Sequence, residues 1–492
     1  MKFYTNIFYD FQNILIAEKV NGITKYRSEL FAPTVYLPST KKTNLTSIKG
    51  EYLSEMKFDS FQEYKEFIEK YSDVPGFDIH GDIQVEFQFI NKRYGADASY
   101  DFSQIDIMFI DIETTTENGF PSMEDPKEKI NVITVSSSRT GKATFCLGKF
   151  KTSEDIAVYE FDDEEDLLKK FIEYFSLNYP DIVSGWNIRF FDFPYLIKRI
   201  KAVLGNKFAK KLSPWGILKE KYITRAGKEE LMYDIIGIAT LDYLEVYKTF
   251  TYVNQESYRL DHICHVELGE RKLSYSEYES FTDFYKNDFQ KFVQYNIRDV
   301  VLVQKLEEKL KLIELVVALA YSAGVNYQDV FSQVRTWDVI IYNYLMAKNI
   351  IVPPKRKSRK DEQYAGAYVK EPLIGMHEWV VSFDLNSLYP HLIMQYNISP
   401  ETITNDGLRG VVSPDGVLKK GQVTMKSIDD LKKKDLSIAA NGTTYRKDVR
   451  GFLPELMDKM YKDRKMFKNK MLDAKKSLED INAEMKRRGL TK

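Results

Sequence analysis

The residues best suited to chemistry in this 492-residue chain are acidic, and they fall into two sets. The first begins with Asp111 and Glu113, which close the apolar run Ile105–Ile110. Side chains two apart on a strand share a face, so both carboxylates aim at one spot. Two anions that close call for a neutralising cation, although an Asp-x-Glu pair taken alone also describes an exposed strand end. Asp192 stands ahead of Phe193-Pro194 at a predicted helix start, where it is a ready N-cap and, once oriented by capping, a ligand as well. Tyr295 and Asp299 sit four apart, one helical turn from each other, beside a buried face marked by Phe292, Val293, Asn296 and Val300. There Asp299 would hold a metal and the Tyr295 hydroxyl would orient a water; the plainer alternative is a tyrosine at a core edge beside an exposed acid. The second set centres on Asp384. An apolar strand, Trp379-Val380-Val381, is expected to deliver it onto a turn carrying the Ser387 hydroxyl, free backbone amides and Tyr389-Pro390. That is the local chemistry of a metal-bound nucleoside triphosphate, and it needs a second carboxylate from elsewhere. Nothing after Pro390 reads as that partner.

The elements that must position these groups form more than one domain, since the chain is too long for a single core. With 43% hydrophobic residues it is no disordered chain, and a net charge of −1 excludes a uniformly basic nucleic-acid coat. Cys146 and Cys264 lie far apart, which favours a reducing compartment. No signal-peptide core or membrane-length apolar stretch is visible, so a soluble, cytoplasmic protein without a membrane partner is expected.

Residues 1–95 read as a mixed α/β module, with a hairpin at Asn21-Gly22 and a helix capped by Ser60 and Glu63. Between 96 and 312, strands near Ile105–Ile110, Val132–Val135, Ala143–Cys146 and Ile182-Val183 alternate with a helix from Asp162. This is the pattern of an α/β sheet domain. Within it, Lys219–Asp234 reads as a polar hairpin, and Asp288–Leu319 as one long helix or two abutting ones. Residues 313–353 are assigned back to the first module. Pro353-Pro354 and the basic run Lys355–Lys360 form a linker, either a solvated connector or a phosphate-contacting strap. The stretch 354–450 carries Asp384, and Pro454–Arg488 is a basic helix in which Arg464 and Lys468 share a face. His262, Cys264 and His265 lack a fourth ligand and sit in an apparent loop, so no zinc site is expected there.

Taken in order, Asp111-x-Glu113, Asp192 and Tyr295-x-x-x-Asp299 resemble the DEDD-type 3′–5′ exonucleases in their tyrosine variant. The resemblance implies a ribonuclease H-like exonuclease domain over 96–312, with two Mg²⁺ or Mn²⁺ ions held by Asp111, Glu113, Asp192 and Asp299. One ion would acidify the attacking water, and the other would stabilise the leaving 3′ oxygen. Asp384 to Pro390 resembles the first palm motif of B-family DNA polymerases. This implies that Asp384 and the Leu385 carbonyl bind the catalytic metals, while Ser387 and the Leu388 amide contact triphosphate oxygens. Tyr389 would stack under the sugar and exclude a 2′-hydroxyl. Arg464 and Lys468 then match a fingers helix that meets the incoming triphosphate. Tyr364 and Gly366 match the segment approaching the template backbone, and Lys219–Asp234 the hairpin that separates the primer end. Phrases such as Leu241-Asp242-Tyr243-Leu244, Thr336-Trp337-Asp338 and Asn397–Thr402 are like those of T-even-type phage polymerases.

On this resemblance 354–450 is a partial palm and 451–492 a truncated first fingers helix. The second fingers helix, the Asp-Thr-Asp palm turn, the thumb and the clamp-binding tail are not in the sequence. The expectation is therefore a proofreading exonuclease joined to the N-terminal half of a DNA-directed DNA polymerase. Its partners would be primer-template DNA, deoxynucleoside triphosphates, a C-terminal polymerase half and, through that half, a sliding clamp. Host-cell cytoplasm is its place if a phage encodes it. The alternatives are a stand-alone exonuclease and a non-catalytic DNA-binding scaffold.

Overall fold

The computed structural model describes residues 1–490 apart from 96–97, 120, 124, 226, 356–368, 405–412, 414–415 and 417–420. The chain divides into two compact units, 1–38 with 53–354, and 39–52 with 355–492.

The first unit opens with an antiparallel sheet of β1 (Lys2–Tyr9), β2 (Asn13–Val20) and β3 (Ile23–Leu30). Val20 pairs with Ile23, which leaves Asn21-Gly22 as the two-residue turn, both with positive φ as that turn requires. β4 (Thr34–Pro38) pairs with β6 (Leu53–Lys57); the short β5 (Thr46–Ser47), between them in the chain, belongs to the second unit. α1 (Phe61–Tyr71) is capped as its sequence predicts, with Ser60 accepting from the Glu63 amide. α2 (Val85–Tyr94) follows.

A six-stranded mixed sheet forms the centre of the unit. Its strands are β7 (Ile107–Thr114), β8 (Ile130–Ser137), β9 (Gly141–Leu147), β10 (Ala157–Phe161), β11 (Ile182–Gly185) and β14 (Ala239–Asp242). They run in the order β10-β9-β8-β7-β11-β14. β8 runs antiparallel to both β7 and β9, β10 is parallel to β9, and β11 and β14 continue parallel to β7. The expected polar hairpin is β12 (Leu218–Arg225) with β13 (Lys228–Ile235).

The alternation of β7 decides which helices meet its two faces. Met108, Ile110 and Ile112 share a core with α3 (Glu164–Leu177) and α4 (Asp192–Val203), through Leu167, Phe171, Phe193 and Leu196. Ile107 and Phe109 point the other way, into a core with Val300 and Val303. Those two valines belong to α9 (Phe289–Leu310), which follows α5 (Asn206–Ala209), α6 (Tyr243–Phe250), α7 (Leu260–Leu268) and α8 (Phe281–Asn287). α10 (Leu312–Ala323) and α11 (Gln333–Met346) complete the unit. The segment around them is hydrogen-bonded to the N-terminal sheet: the Tyr4 hydroxyl donates to the Val325 carbonyl at 2.9 Å, and Asn326 accepts from the Ile7 amide at 2.8 Å.

One local expectation needs correcting here, and two open points are resolved. β7 runs on past Ile110 and carries Asp111 and Glu113 inside its paired length, opposite Thr134 and Val132. The stretch from Asp288 is two helices, because Lys311 adopts a left-handed conformation and breaks the hydrogen-bond ladder between α9 and α10. His262, Cys264 and His265 sit on α7, not in a loop. Leu260, Ile263 and Cys264 recur at helical spacing and are buried, and Gly269 closes the helix in the left-handed region.

In the second unit, α12 (Leu388–Tyr396) packs on a helix spanning Phe452–Arg487, where the His391 and Tyr461 rings lie 4.7 Å apart. Asn397 ties the segment after α12 down, donating to the Arg446 and Val449 carbonyls and accepting from the Gly451 amide. The strand expected at Trp379-Val380-Val381 is absent. These residues are 95%, 77% and 70% exposed and Trp379 has φ +58°. A strand is stabilised by a paired neighbour, and among the described residues nothing pairs with them. Among the described residues no helix is long and apolar enough to cross a membrane.

Candidate metal centre

Asp111 and Glu113 continue the face of β7 that begins with Ile107 and Phe109, so both meet α9. Burial of Phe292, Val293, Ile297 and Val300 sets the rotation of α9. That rotation turns Tyr295, Asn296 and Asp299 toward the end of the strand. Carboxylate oxygens of Asp111, Glu113 and Asp299 thereby converge within 4.8 Å of one another. Asp111 and Glu113 are half-buried and Asp299 is buried.

Asp192 arrives with the segment that follows β11 and is not one of the three converging groups. It is the first residue of α4 rather than its cap, a position held by Phe191 without any side-chain bond. Its Oδ1 instead accepts the Ile112 amide at 3.2 Å, between the two acidic residues of β7. Two features bring the loop ahead of α4 this close. Gly185 lets the backbones approach, since a Cβ there would stand 2.4 Å from the Ile110 carbonyl oxygen. Buried Asp242 braces the loop by accepting from the Asn187, Arg189 and Leu244 amides, each at 3.0 Å.

Burial pushes these carboxyls upward; repulsion from the neighbouring acids adds to it at Asp111 and Glu113, whereas Lys272 opposes it at Asp299. Glu113 rises to about 8, Asp192 to about 7 and Asp299 to about 6, while Asp111 lies well above its usual range. A cation pairs directly with one of them. Lys272 Nζ is 2.5 Å from Asp299 Oδ2 and 4.6 Å from the centre of the Tyr295 ring. Burial disfavours its charge, yet Asp299 and Tyr295 more than reverse that and hold the ammonium. Burial and Asp299 likewise keep the Tyr295 hydroxyl protonated, as a donor. Asp299 Oδ1 is buried with no hydrogen-bond partner. An oxygen-only set of converging carboxylates, one with an orphaned buried oxygen, fits a hard divalent cation. Beside it opens a cleft of about 1180 Å³ whose lining includes Asp111, Tyr258, Arg259, Lys272, Tyr295 and Asp299.

Sequence reasoning missed Lys272 and the bracing role of Asp242. Lys272 lies in an irregular segment after α7, and no local pattern announces its reach to α9. Asp242 does carry a signal, that of an acidic N-cap at the start of α6.

The second acidic set is arranged differently. Asp384 lies on an exposed, irregular stretch, with Leu385 69%, Leu388 42% and Tyr389 74% exposed. Ser387 precedes α12 in a left-handed conformation and contributes no side-chain cap. Arg464 and Lys468 are exposed on the helix Phe452–Arg487. Among the described residues no other acidic group joins Asp384 in a metal-sized cluster. Tyr364, Gly366 and residues 356–360 of the basic run lie outside the described residues.

Comparison with known proteins returns one family twice. A family model described as DNA polymerase family B, exonuclease domain, matches residues 57–263, and one described as DNA polymerase family B matches residues 331–487. The chain is 31% identical to the DNA-directed DNA polymerase of Escherichia phage RB69, an alignment covering 93% of this chain and 52% of that protein. For the DNA-directed DNA polymerase of Enterobacteria phage T4 the figures are 29%, 94% and 53%. The DNA polymerase delta catalytic subunit of Schizosaccharomyces pombe is 26% identical over 60% of this chain and 29% of its own length. The chain spans about half the length of the two phage relatives.

Proposed function

Because the chain belongs to DNA polymerase family B, we propose that its acidic centre is a metal-dependent 3′–5′ exonuclease acting on DNA. The convergence of Asp111, Glu113 and Asp299 within 4.8 Å carries this reading. Asp111, Glu113 and Asp299, with Asp192 beside them, would hold two Mg²⁺ or Mn²⁺ ions. Bound there, such ions supply an acidified water and charge stabilisation for the leaving 3′ oxygen. The chain's own groups do the rest. Tyr295 keeps its proton and donates from its hydroxyl to a water or to the scissile phosphate. Lys272 places a positive charge where a phosphodiester's negative charge must sit. The cleft lined by Tyr258 and Arg259 offers an aromatic face and a cation to a single strand.

The sheet order, three antiparallel strands followed by two parallel ones, supports a ribonuclease H-like domain over 96–312. The test is release of mononucleotides from 5′-labelled single-stranded DNA in Mg²⁺. Asp299→Ala should abolish it, and activity surviving either that change or a chelator would refute the assignment.

The family match over residues 331–487 favours a second role in nucleotide transfer. In this reading Asp384 and the Leu385 carbonyl hold metal, and Ser387 and the Leu388 amide meet the triphosphate. Tyr389 stacks under the sugar, Arg464 and Lys468 bind phosphate, and Tyr364 and Gly366 approach the template. Residues 354–450 are then a partial palm and 451–492 a fingers helix, while 1–95 with 313–353 form the N-terminal domain. Asp384 needs a second carboxylate, to be supplied by further polypeptide corresponding to the other half of the relatives. A sliding clamp would act through that half, in the host cytoplasm. Primer extension on adding such a polypeptide supports this; its absence in every such mixture refutes it.

A further inference from the structure

We propose that Asn296 is a positioning residue for the metal centre, holding one oxygen of Asp111 so that the other is presented to the cation. The proposal rests on the exonuclease reading and adds to it a residue that is not itself a ligand.

Asn296 lies on α9 directly after Tyr295 and within one turn of Asp299, and it is completely buried. Its Nδ2 donates to Asp111 Oδ2 at 2.6 Å, a short, charge-assisted bond. Once a cation holds Asp111 ionised, the carboxylate can only accept, and this fixes the Nδ2 end of the amide toward it. The other end, Oδ1, is buried without a hydrogen-bond partner. A buried amide left half-satisfied is unfavourable, and the neighbours Phe292, Val293, Ile297 and Val300 show what this helix buries where packing alone decides. Leucine would fill a similar volume and strand no oxygen. The amide therefore does not serve the core; its one bond is to a residue of the acidic centre.

The chemistry of that bond suits the task. A neutral donor fixes the Asp111 side chain without competing for the cation's charge, as a lysine in the same place would. A donor on one oxygen restrains the carboxylate's torsion while leaving the second oxygen free. Groups that orient a metal's ligands in this way typically change affinity about 10–100-fold when removed. Position 296 can supply this bond only because α9 is packed on β7, which joins partners 185 residues apart in the chain.

The test measures Mn²⁺ binding to the whole chain by titration calorimetry at pH 8, alongside nuclease activity across a Mn²⁺ series. Asn296→Leu should weaken Mn²⁺ binding about tenfold or more while leaving the chelator-treated protein folded and at least as heat-stable. Its nuclease deficit should shrink at saturating Mn²⁺. Asn296→Ser, which keeps a donor on a smaller side chain, should bind Mn²⁺ more tightly than Asn296→Leu, and it serves as the measured variant should leucine disturb the fold. Unchanged Mn²⁺ affinity in a folded Asn296→Leu protein, with binding lost in Asp299→Ala, would overturn the positioning role and leave the metal centre standing. No Mn²⁺ binding by the unaltered chain would overturn both.

Discussion

Two acidic segments of this chain, around Asp111 and around Asp384, face opposite circumstances. The first is gathered by the fold: a strand, two helices and an irregular segment converge, and its half-buried to buried carboxylates have Lys272 as counter-charge. The second is exposed, lies on no paired strand and has apolar neighbours such as Trp379 and Phe383 open to solvent at 95% and 90%. A metal centre needs several ligands brought from distant parts of the chain. Local sequence can prepare each ligand, but only packing gathers them.

That contrast can be broken most decisively by nuclease assays. Asp111→Ala with Glu113→Ala should lower mononucleotide release from single-stranded DNA by about 10³-fold or more, since metal-assisted charge stabilisation is worth several kcal/mol. Asp384→Ala should leave that release unchanged; a comparable loss would mean that the two segments act as one site. Next in size is Lys272→Met. Removing the counter-charge of a buried carboxylate typically destabilises by about 3 kcal/mol, which metal-free thermal unfolding at pH 8 would reveal. Added Mg²⁺ should restore much of it, because a cation then takes up the same charge.

Smaller, and specific to the first segment, is a pH effect. The folded state raises Glu113 to about 8, Asp192 to about 7 and Asp299 to about 6, so it binds protons more tightly than the unfolded chain. The stabilisation from that extra proton affinity is complete below the ordinary carboxylate range, near pH 4, and is lost as pH rises toward 8. The melting temperature of the chelator-treated protein should fall across this window, and Asp299→Asn should flatten the fall. A melting temperature that rises instead would mean that these carboxylates are better compensated than their burial implies. The smallest effect belongs to the second segment. Asp384→Ala and Arg464→Ala, both exposed, should each change stability by no more than about 0.5 kcal/mol.

Much of the first segment is legible in the sequence. The period-two alternation of Ile107 to Glu113 puts both acids on one face, and the four-residue spacing of Tyr295 and Asp299 puts them on one helical face. The Asn21-Gly22 hairpin and the Ser60 cap are equally plain, because each depends on residues within four positions of one another. Local pattern misleads where context rules. Asp192 has the setting of a cap and is instead tied to a backbone amide eighty residues away. Trp379–Val381 has the composition of a strand and lacks the neighbour that would make it one.

By itself, then, the sequence determined residue types, their spacing along each element and hence the direction in which each element presents them. Tertiary structure alone decided which elements meet: that Lys272 reaches Asp299, that Asn296 holds Asp111, and that Asp192 stops at Ile112. The physical reason is range. Backbone periodicity acts over a few residues, whereas burial and charge act between whatever the fold places side by side.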